Sequence, residues 1–244
     1  AIGQGYRSST AFDGANYLLA WAEGMSPNAD VRGARVSAAG VLLDQTGLGI
    51  SLAPGNQLGP AVGYGGGVFL VAWSDDRNTD VYGARVAQTG AVLDPVGISI
   101  SNASGAQHTP AIAHDGANFL VSWTEGVAAG ARAARVRPAG QVLDSFSIAS
   151  GGSAAGVASL GGTQWALWLN PAPYEMHVYG ARVGAAGNVL DTQGVLVSSK
   201  VNDQTRPGVA AGRDGYLVAW LDDLDGGSSP LTGLGFTGPW GARV

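Results

Sequence analysis

The chain has 244 residues, of which 45% are hydrophobic and 13% are charged, and it carries a formal net charge of −5 at pH 7. This length allows one large domain or two small ones, and the hydrophobic content is sufficient for a packed core. With one lysine and no basic tract, the sequence excludes binding to the phosphate backbone of nucleic acid. It also excludes disulfides and thiolate metal sites, because it has no cysteine, and no apolar run reaches the roughly 18 residues needed to span a membrane.

The chain begins with Ala1-Ile2-Gly3 instead of methionine. Such a start is typical of a mature protein whose signal peptide has been removed. We therefore expect a secreted or cell-surface protein. A boundary inside a longer repeat protein would give the same start, so that alternative stays open.

A tetrapeptide, Gly-Ala-Arg-Val, recurs along the chain. It stands at residues 33–36, 83–86, 180–183 and 241–244, with a variant at 133–136. Its arginines are 50, 50, 47 and 61 residues apart. A period near 50 residues indicates one supersecondary unit repeated along the chain. We therefore predict a single domain over residues 1–244, with repeats at about 1–50, 51–100, 101–150, 151–198 and 199–244.

Each repeat predicts four strands in the same order. The first strand is short, begins near a proline such as Pro60 or Pro110, and ends in an Asp-Gly hairpin turn. The second strand is a run of aromatic and β-branched residues that ends on a tryptophan. These tryptophans are Trp21, Trp73, Trp123, Trp168 and Trp220.

The third strand carries the tetrapeptide, and a glycine turn leads to the fourth. We place the fourth strand at the Val-Leu-Asp segments, at residues 41–44, 92–94, 142–144 and 189–191. Nothing follows Val244 in the sequence, so the fifth repeat is predicted to lack its outer strand, and the edge left exposed could pair with another chain.

Four antiparallel strands in each of five repeats predict an all-β protein, a five-bladed β-propeller with an incomplete last blade. A sandwich would not repeat its sequence in this way, and a parallel β-helix uses shorter turns. In a propeller the five tryptophans would form the core between blades.

The repeat consensus is Tyr-Leu-Val-x-Trp-x-Asp, then Asp-Val-Tyr-Gly-Ala-Arg-Val, then Gly-x-Val-Leu-Asp-x-x-Gly-Ile-x-Ile. It resembles repeats of large secreted or surface proteins of high-GC bacteria over essentially the whole chain. That resemblance implies a propeller and export more than an activity. The plan is also similar to that of the five-bladed tachylectin-type lectins, although their motifs do not match residue for residue.

A glycosidase built on five blades needs two or three carboxylates that converge on the central cavity. The stretches expected to line that cavity are residues 8–12, 59–63, 109–114, 155–159 and 206–211, and they hold no Asp or Glu. Common hydrolase and nucleotide-binding motifs are also missing. We therefore predict that the protein is not an enzyme.

Two sets of acidic residues recur. The set at Glu23, Asp75, Glu125, Asn170 and Asp222 follows each tryptophan by two residues, and we expect it to bind a neighbouring arginine or a hairpin amide. The set at Asp44, Asp94, Asp144 and Asp191 is expected to satisfy turn amides. We predict no cofactor, with Ca2+ at Asp75, Asp76 and Asp80 and at Asp222, Asp223 and Asp225 as the alternative.

The connections between second and third strands vary most, and in a propeller they share one face with the links between blades. The ligand-binding candidates on that face are Arg32, Gln57, Tyr82, Gln107, Arg132, Tyr174, His177, Tyr179, Gln204 and Trp240. Aromatic rings with nearby amides suit a sugar. We predict a non-catalytic binding or adhesion module for glycans or a protein partner. The alternative is a structural or assembly module that docks or self-associates through the open fifth blade.

Overall fold

The computed structural model describes residues 5–126, 130–171, 176–198, 204–222 and 233–237. These residues form nineteen strands in five antiparallel sheets, and together the sheets make a five-bladed β-propeller, as predicted. Within the described ranges, no helix is long and apolar enough to cross a membrane.

The strands follow one another blade by blade. The first blade contains β1 (Gly5–Phe12), β2 (Asn16–Glu23), β3 (Asp30–Ser37) and β4 (Leu48–Ser51). The second contains β5 (Gln57–Gly65), β6 (Val68–Asp75), β7 (Asp80–Ala87) and β8 (Ile98–Ser101). The third contains β9 (Gln107–His114), β10 (Phe119–Glu125), β11 (Ala131–Val136) and β12 (Val142–Ala149). The fourth contains β13 (Ser153–Leu160), β14 (Thr163–Pro171), β15 (Met176–Val183) and β16 (Val195–Ser198). The fifth contains β17 (Gln204–Ala211), β18 (Tyr216–Asp222) and β19 (Gly233–Thr237).

The core lies between successive blades. Trp73 is fully buried in one cluster with Leu18 and Ile50 of the first blade, and Trp123 is buried against the second blade in the same way. Trp168 and Trp220 continue the pattern towards the third and fourth blades. The predicted role in the core between blades is confirmed for these four tryptophans, and Trp21 is buried in the first blade without belonging to such a cluster. Each of the four removes a large apolar surface from water where two sheets meet.

Two strand predictions are wrong. In the first, second and fourth blades the Val-Leu-Asp segment makes only an isolated bridge, such as Val36 to Leu42, and the fourth strand begins several residues later. In the fifth blade the strand paired with β18 is β19, in which Gly233 faces Trp220. The last tetrapeptide copy, at residues 241–244, lies outside the described residues.

The tetrapeptide arginines join neighbouring blades. Arg35 donates from Nε and Nη2 to the carboxylate of Asp44, at 2.9 and 2.7 Å, and its backbone N–H donates to the same group. Its Nη1 donates to the carbonyl of Gln88 in the second blade at 2.7 Å. The same arrangement recurs with Arg85, Asp94 and Pro138, and with Arg135, Asp144 and Ala185. The repeated aspartates therefore bind this arginine instead of serving only turn amides.

The glycine of the tetrapeptide is required by a close approach within the blade. A Cβ at Gly83 would lie 2.7 Å from Cδ1 of Ile100 and 3.0 Å from the carbonyl oxygen of Val71. Gly33 meets Ile50 and Leu19 at similar distances. The fourth strand can therefore press its isoleucine onto the third strand only where the side chain is missing.

We expect Gly83→Ala to lower the free energy of unfolding by about 1–3 kcal/mol, because the added methyl group overpacks a buried contact. Urea unfolding followed by tryptophan fluorescence measures this loss. Gly208→Ala is the matched control, since a Cβ at Gly208 meets no heavy atom within 4 Å. Equal losses in the two variants would contradict the packing explanation.

Candidate functional site

The first strand of every blade carries a β-bulge near its beginning. In the second, third and fifth blades two residues stand opposite the core tryptophan, as Thr109 and Pro110 do opposite Trp123. In the first and fourth blades the extra residues are Arg7 and Ala155. A bulge bends its strand and turns side chains away from the sheet. Each of the five bulges contributes residues to one cavity.

These bulges surround a cavity of about 630 Å³, which we call the central pocket. The volume falls in the range of roughly 300–1,000 Å³ typical of small-molecule sites. Its lining consists of Arg7, Gly59, Pro60, Thr109, Pro110, Ala154, Ala155, Leu169, Arg206 and Pro207. Most of these residues belong to the stretches that the sequence assigns to the central cavity.

The charged groups in this lining are two guanidinium groups, those of Arg7 and Arg206. No Asp or Glu lines the pocket among the described residues. Proline rings and Leu169 supply apolar surface, and Thr109 supplies a hydroxyl group. The pocket can therefore pack against an apolar surface and donate hydrogen bonds to anionic or polar oxygens.

The three glutamines predicted to bind ligand lie in the core. Gln57, Gln107 and Gln204 are buried, with at most 1% of their surface exposed. Gln107 accepts a hydrogen bond from the backbone N–H of Val81, and Gln204 accepts one from that of Val178, both at 3.1 Å. The amides of Gln107 and Gln204 therefore join their blades to the preceding ones, whereas the Gln57 side chain donates to backbone carbonyls of residues 53–55 in the link before its own strand. This placement corrects the assignment of all three to a ligand-binding face.

The predicted candidates on the third strands are engaged within their own blades. Arg32 and Arg132 form ion pairs with Glu23 and Glu125, at 3.7 and 2.8 Å. This confirms, for two blades, that the carboxylate after the tryptophan binds a neighbouring arginine.

The predicted aromatic candidates on the third strands are half-buried. Tyr82 lies beneath the guanidinium of Arg77, whose Cζ is 4.9 Å from the ring centre. Tyr179 stacks on Trp168 with the ring centres 5.8 Å apart. Neither tyrosine lines the central pocket, nor do Arg32 and Arg132. The structure therefore distributes these four residues over separate blades and does not bring them into one cavity.

The remaining ligand-binding candidates differ in how far the structure describes them. His177 lies on β15, opposite Asn170 of β14. Tyr174 and Trp240 lie outside the described residues. The same holds for Asp223 and Asp225, and Asp222 ends β18 without a described side chain.

The carboxylates of the first predicted calcium cluster are engaged by protein donors. Arg77 donates to both oxygens of Asp75, at 2.8 and 2.7 Å. Asn56 donates from its backbone and its side chain to Asp76. Burial raises the pKa of Asp80. In the part of the chain that the structure describes, no group of three such side chains is arranged to hold a metal ion.

The two arginines of the pocket are not among the predicted site residues, because the prediction for the central stretches considered only carboxylates. The repeat nevertheless contains a pattern that indicates them. The residues fourteen positions before the core tryptophans are Arg7, Gly59, Thr109, Ala154 and Arg206, and all five line the pocket. The spacing of fourteen residues from the buried tryptophan therefore identifies, in each blade, a position that lines the pocket.

No protein-family model matches the sequence, and no curated protein matches it. Among solved structures, the chain is similar to the catalytic domain of a GH62 alpha-L-arabinofuranosidase from Coprinopsis cinerea, with a TM-score of 0.58 and 10% identity. The match covers 93% of this chain and 87% of that one. The chain is also similar to a bifunctional GH43-CE protein from Bacteroides eggerthii, with a TM-score of 0.51 and 12% identity. That match covers 91% of this chain and 31% of the other. At these identities the likeness shows the propeller fold.

This finding corrects the functional predictions. The sequence predicts a non-catalytic binding or adhesion module, with a structural or assembly module as the alternative, and it predicts no enzyme. Several of the matching solved propellers are glycoside hydrolases, and this finding overturns the prediction of a non-catalytic or structural module and the prediction of no enzyme. The prediction of no enzyme depended on the absence of carboxylates from the central stretches. That argument considered only one arrangement of catalytic acids.

Proposed function

We propose that this protein acts on a carbohydrate that it holds in the central pocket. The observation that carries the proposal is the position of the pocket, where the first strands of all five blades meet and where a cavity of about 630 Å³ opens. Rigid strands that present different residues at one point are the usual way in which a repeated scaffold carries a site.

The lining of the pocket suits the two-sided chemistry of a sugar. Pro60, Pro110 and Pro207 offer apolar surface to the C–H face of a sugar ring. The hydroxyl of Thr109 and the two guanidinium groups offer hydrogen bonds to its oxygens. The propeller fold shared with an alpha-L-arabinofuranosidase supports the choice of carbohydrate.

A panel of neutral and acidic oligosaccharides tests the proposal, with binding followed by calorimetry and hydrolysis followed by the release of reducing ends. The two measurements are separate, because the described lining of the pocket holds no carboxylate of the kind that glycosidases use. We expect at least one sugar to bind or to be cleaved. A panel with neither binding nor cleavage would sink the proposal.

A substitution in the pocket locates the activity. Thr109 is exposed and lines the pocket, so Thr109→Tyr is expected to weaken binding or turnover by about tenfold by filling the cavity. Thr89→Tyr adds the same side chain at an exposed position before β8 and serves as the control. If both variants behave like the parent protein, the sugar binds elsewhere.

We also propose export of the protein, which the resemblance of its repeats to those of secreted bacterial proteins implies. Its detection in the culture medium of the producing organism tests this point, and retention inside the cells would contradict it.

A further inference from the structure

One position of the repeat differs in charge from blade to blade, although the first strand of every blade has a bulge there. This position lies fourteen residues before the core tryptophan, and in chain order it holds Arg7, Gly59, Thr109, Ala154 and Arg206. The two arginines belong to the first and fifth blades, at the two ends of the order of blades along the chain. Both line the central pocket. The positive charge of its described lining therefore comes from these two blades.

These two arginines lack the partners that hold the structural arginines. Arg35 and Arg85 are largely buried and bound by aspartates of their own blades. Arg7 and Arg206 are exposed, and neither forms a hydrogen bond or an ion pair in the described structure. The described lining of the pocket holds no carboxylate. Two guanidinium groups that line one cavity without a counter-charge among the described residues can bind an anion.

The backbone at both positions is held in an unfavourable conformation. Arg7 has a φ of 52° and Arg206 a φ of 50°, in the left-handed region that L-residues seldom adopt. The equivalent residues Gly59 and Thr109 have φ angles of 59° and 52°. Glycine would meet this requirement without strain, so a long charged residue at two of the positions needs another reason. Binding by the guanidinium group provides one.

We infer that Arg7 and Arg206 together bind the negatively charged group of an acidic oligosaccharide, with a uronic acid carboxylate as the group that best fits two forked donors. This inference rests on the proposed carbohydrate function and names the class of sugar. A carboxylate accepts paired N–H donors from guanidinium groups, whereas a neutral sugar leaves both charges in the pocket without a partner.

The chain itself supplies the substitutions that test this inference. Arg206→Thr copies the residue of the third blade, and Arg206→Gly copies that of the second blade, so both are compatible with the bulge. Arg7→Thr is the equivalent change in the first blade. Arg213→Thr removes an exposed arginine outside the pocket and is the matched control for the loss of one charge.

The probes are an oligogalacturonate, its fully methyl-esterified form and a sulfated oligosaccharide of similar length, with calorimetry as the measurement. We expect the oligogalacturonate to bind at least about tenfold more tightly than its neutral ester. Each single arginine variant should lose about tenfold in affinity, the double variant about a hundredfold, and Arg213→Thr should lose nothing. The affinity should also fall as the salt concentration rises.

Each possible result of these binding measurements either supports or overturns the inference. Tighter binding of the sulfated sugar, if lost in the arginine variants, supports an acidic oligosaccharide with sulfate as the charged group. Equal binding of the ester and the acid, or unchanged affinity in the double variant, overturns the inference and leaves the proposed function standing. No binding or cleavage of any sugar overturns both. Thermal unfolding of each variant identifies a loss of affinity that comes from a loss of fold.

Discussion

Trp73→Ala is expected to lower the free energy of unfolding by about 3–5 kcal/mol, the largest effect of any single change considered for this chain. The side chain is fully buried between the first and second blades, and its Nε1 donates to Asp75 at 3.2 Å. Its removal leaves a cavity where two sheets meet and deletes one hydrogen bond to Asp75, which keeps its hydrogen bonds from Arg77. Urea unfolding followed by circular dichroism measures the loss.

Tyr17→Ala provides the comparison, because it also removes an aromatic ring from a second strand. Tyr17 is 41% exposed and contacts Phe12 at the surface, with the ring centres 4.5 Å apart. We expect a loss below about 1 kcal/mol. Similar losses for the buried and the exposed ring would show that the space between the blades does not dominate the stability of this propeller.

Arg35→Met is expected to cost about 2–3 kcal/mol at neutral pH, because one side chain makes hydrogen bonds within the first blade and to the second. Its guanidinium and the Asp44 carboxylate are 15% and 11% exposed, so the pair is shielded from most of the solvent. Arg137→Met is the control, since Arg137 is exposed and bonds only Gln141 in the same turn. Comparable losses in both variants would contradict a joining role for Arg35.

The pH dependence of this loss has a defined sign. Hydrogen bonds from Arg35 hold the pKa of Asp44 below its ordinary value, and the opposing effect of burial is smaller. A carboxyl whose pKa is lowered on folding stabilises the protein above its unfolded pKa, about 3.9, and that contribution disappears as the pH falls through the lowered value. The difference in unfolding free energy between the parent and Arg35→Met should therefore be full at pH 6 and shrink below pH 4. A constant difference down to pH 2 would exclude the ion pair as its source.

The fold could be predicted from the sequence because the same pattern of strands and turns occurs in each repeat. Five tryptophans at the ends of five apolar runs predict five second strands, and the structure places four of them, from Trp73 to Trp220, in clusters between blades. The fourth strands were predicted several residues too early. The Val-Leu-Asp segments resemble strands in composition. Their aspartates, however, bind the tetrapeptide arginines, and only the structure shows that pairing.

The site was harder to predict, because repeated polar residues look alike whether they serve the backbone or a ligand. Gln57 and Gln107 recur at matching positions, and the sequence predicts both as ligand-binding residues. Their amides instead bind backbone groups within the links between blades and on the preceding blade. A repeated polar residue indicates that a polar group is needed at that position. It does not indicate in which direction the side chain points.

The class of fold, the number of blades and the core residues could be predicted from the amino-acid sequence, because apolar periodicity and turn chemistry are visible in each stretch of the chain. The location of a cavity for a ligand could not, because it arises on folding. The central pocket exists because bulges from five distant segments contribute residues to one cavity, and Arg7 and Arg206, 199 residues apart in the sequence, come to line it together. No local pattern encodes that convergence, since it depends on how separate sheets pack against one another.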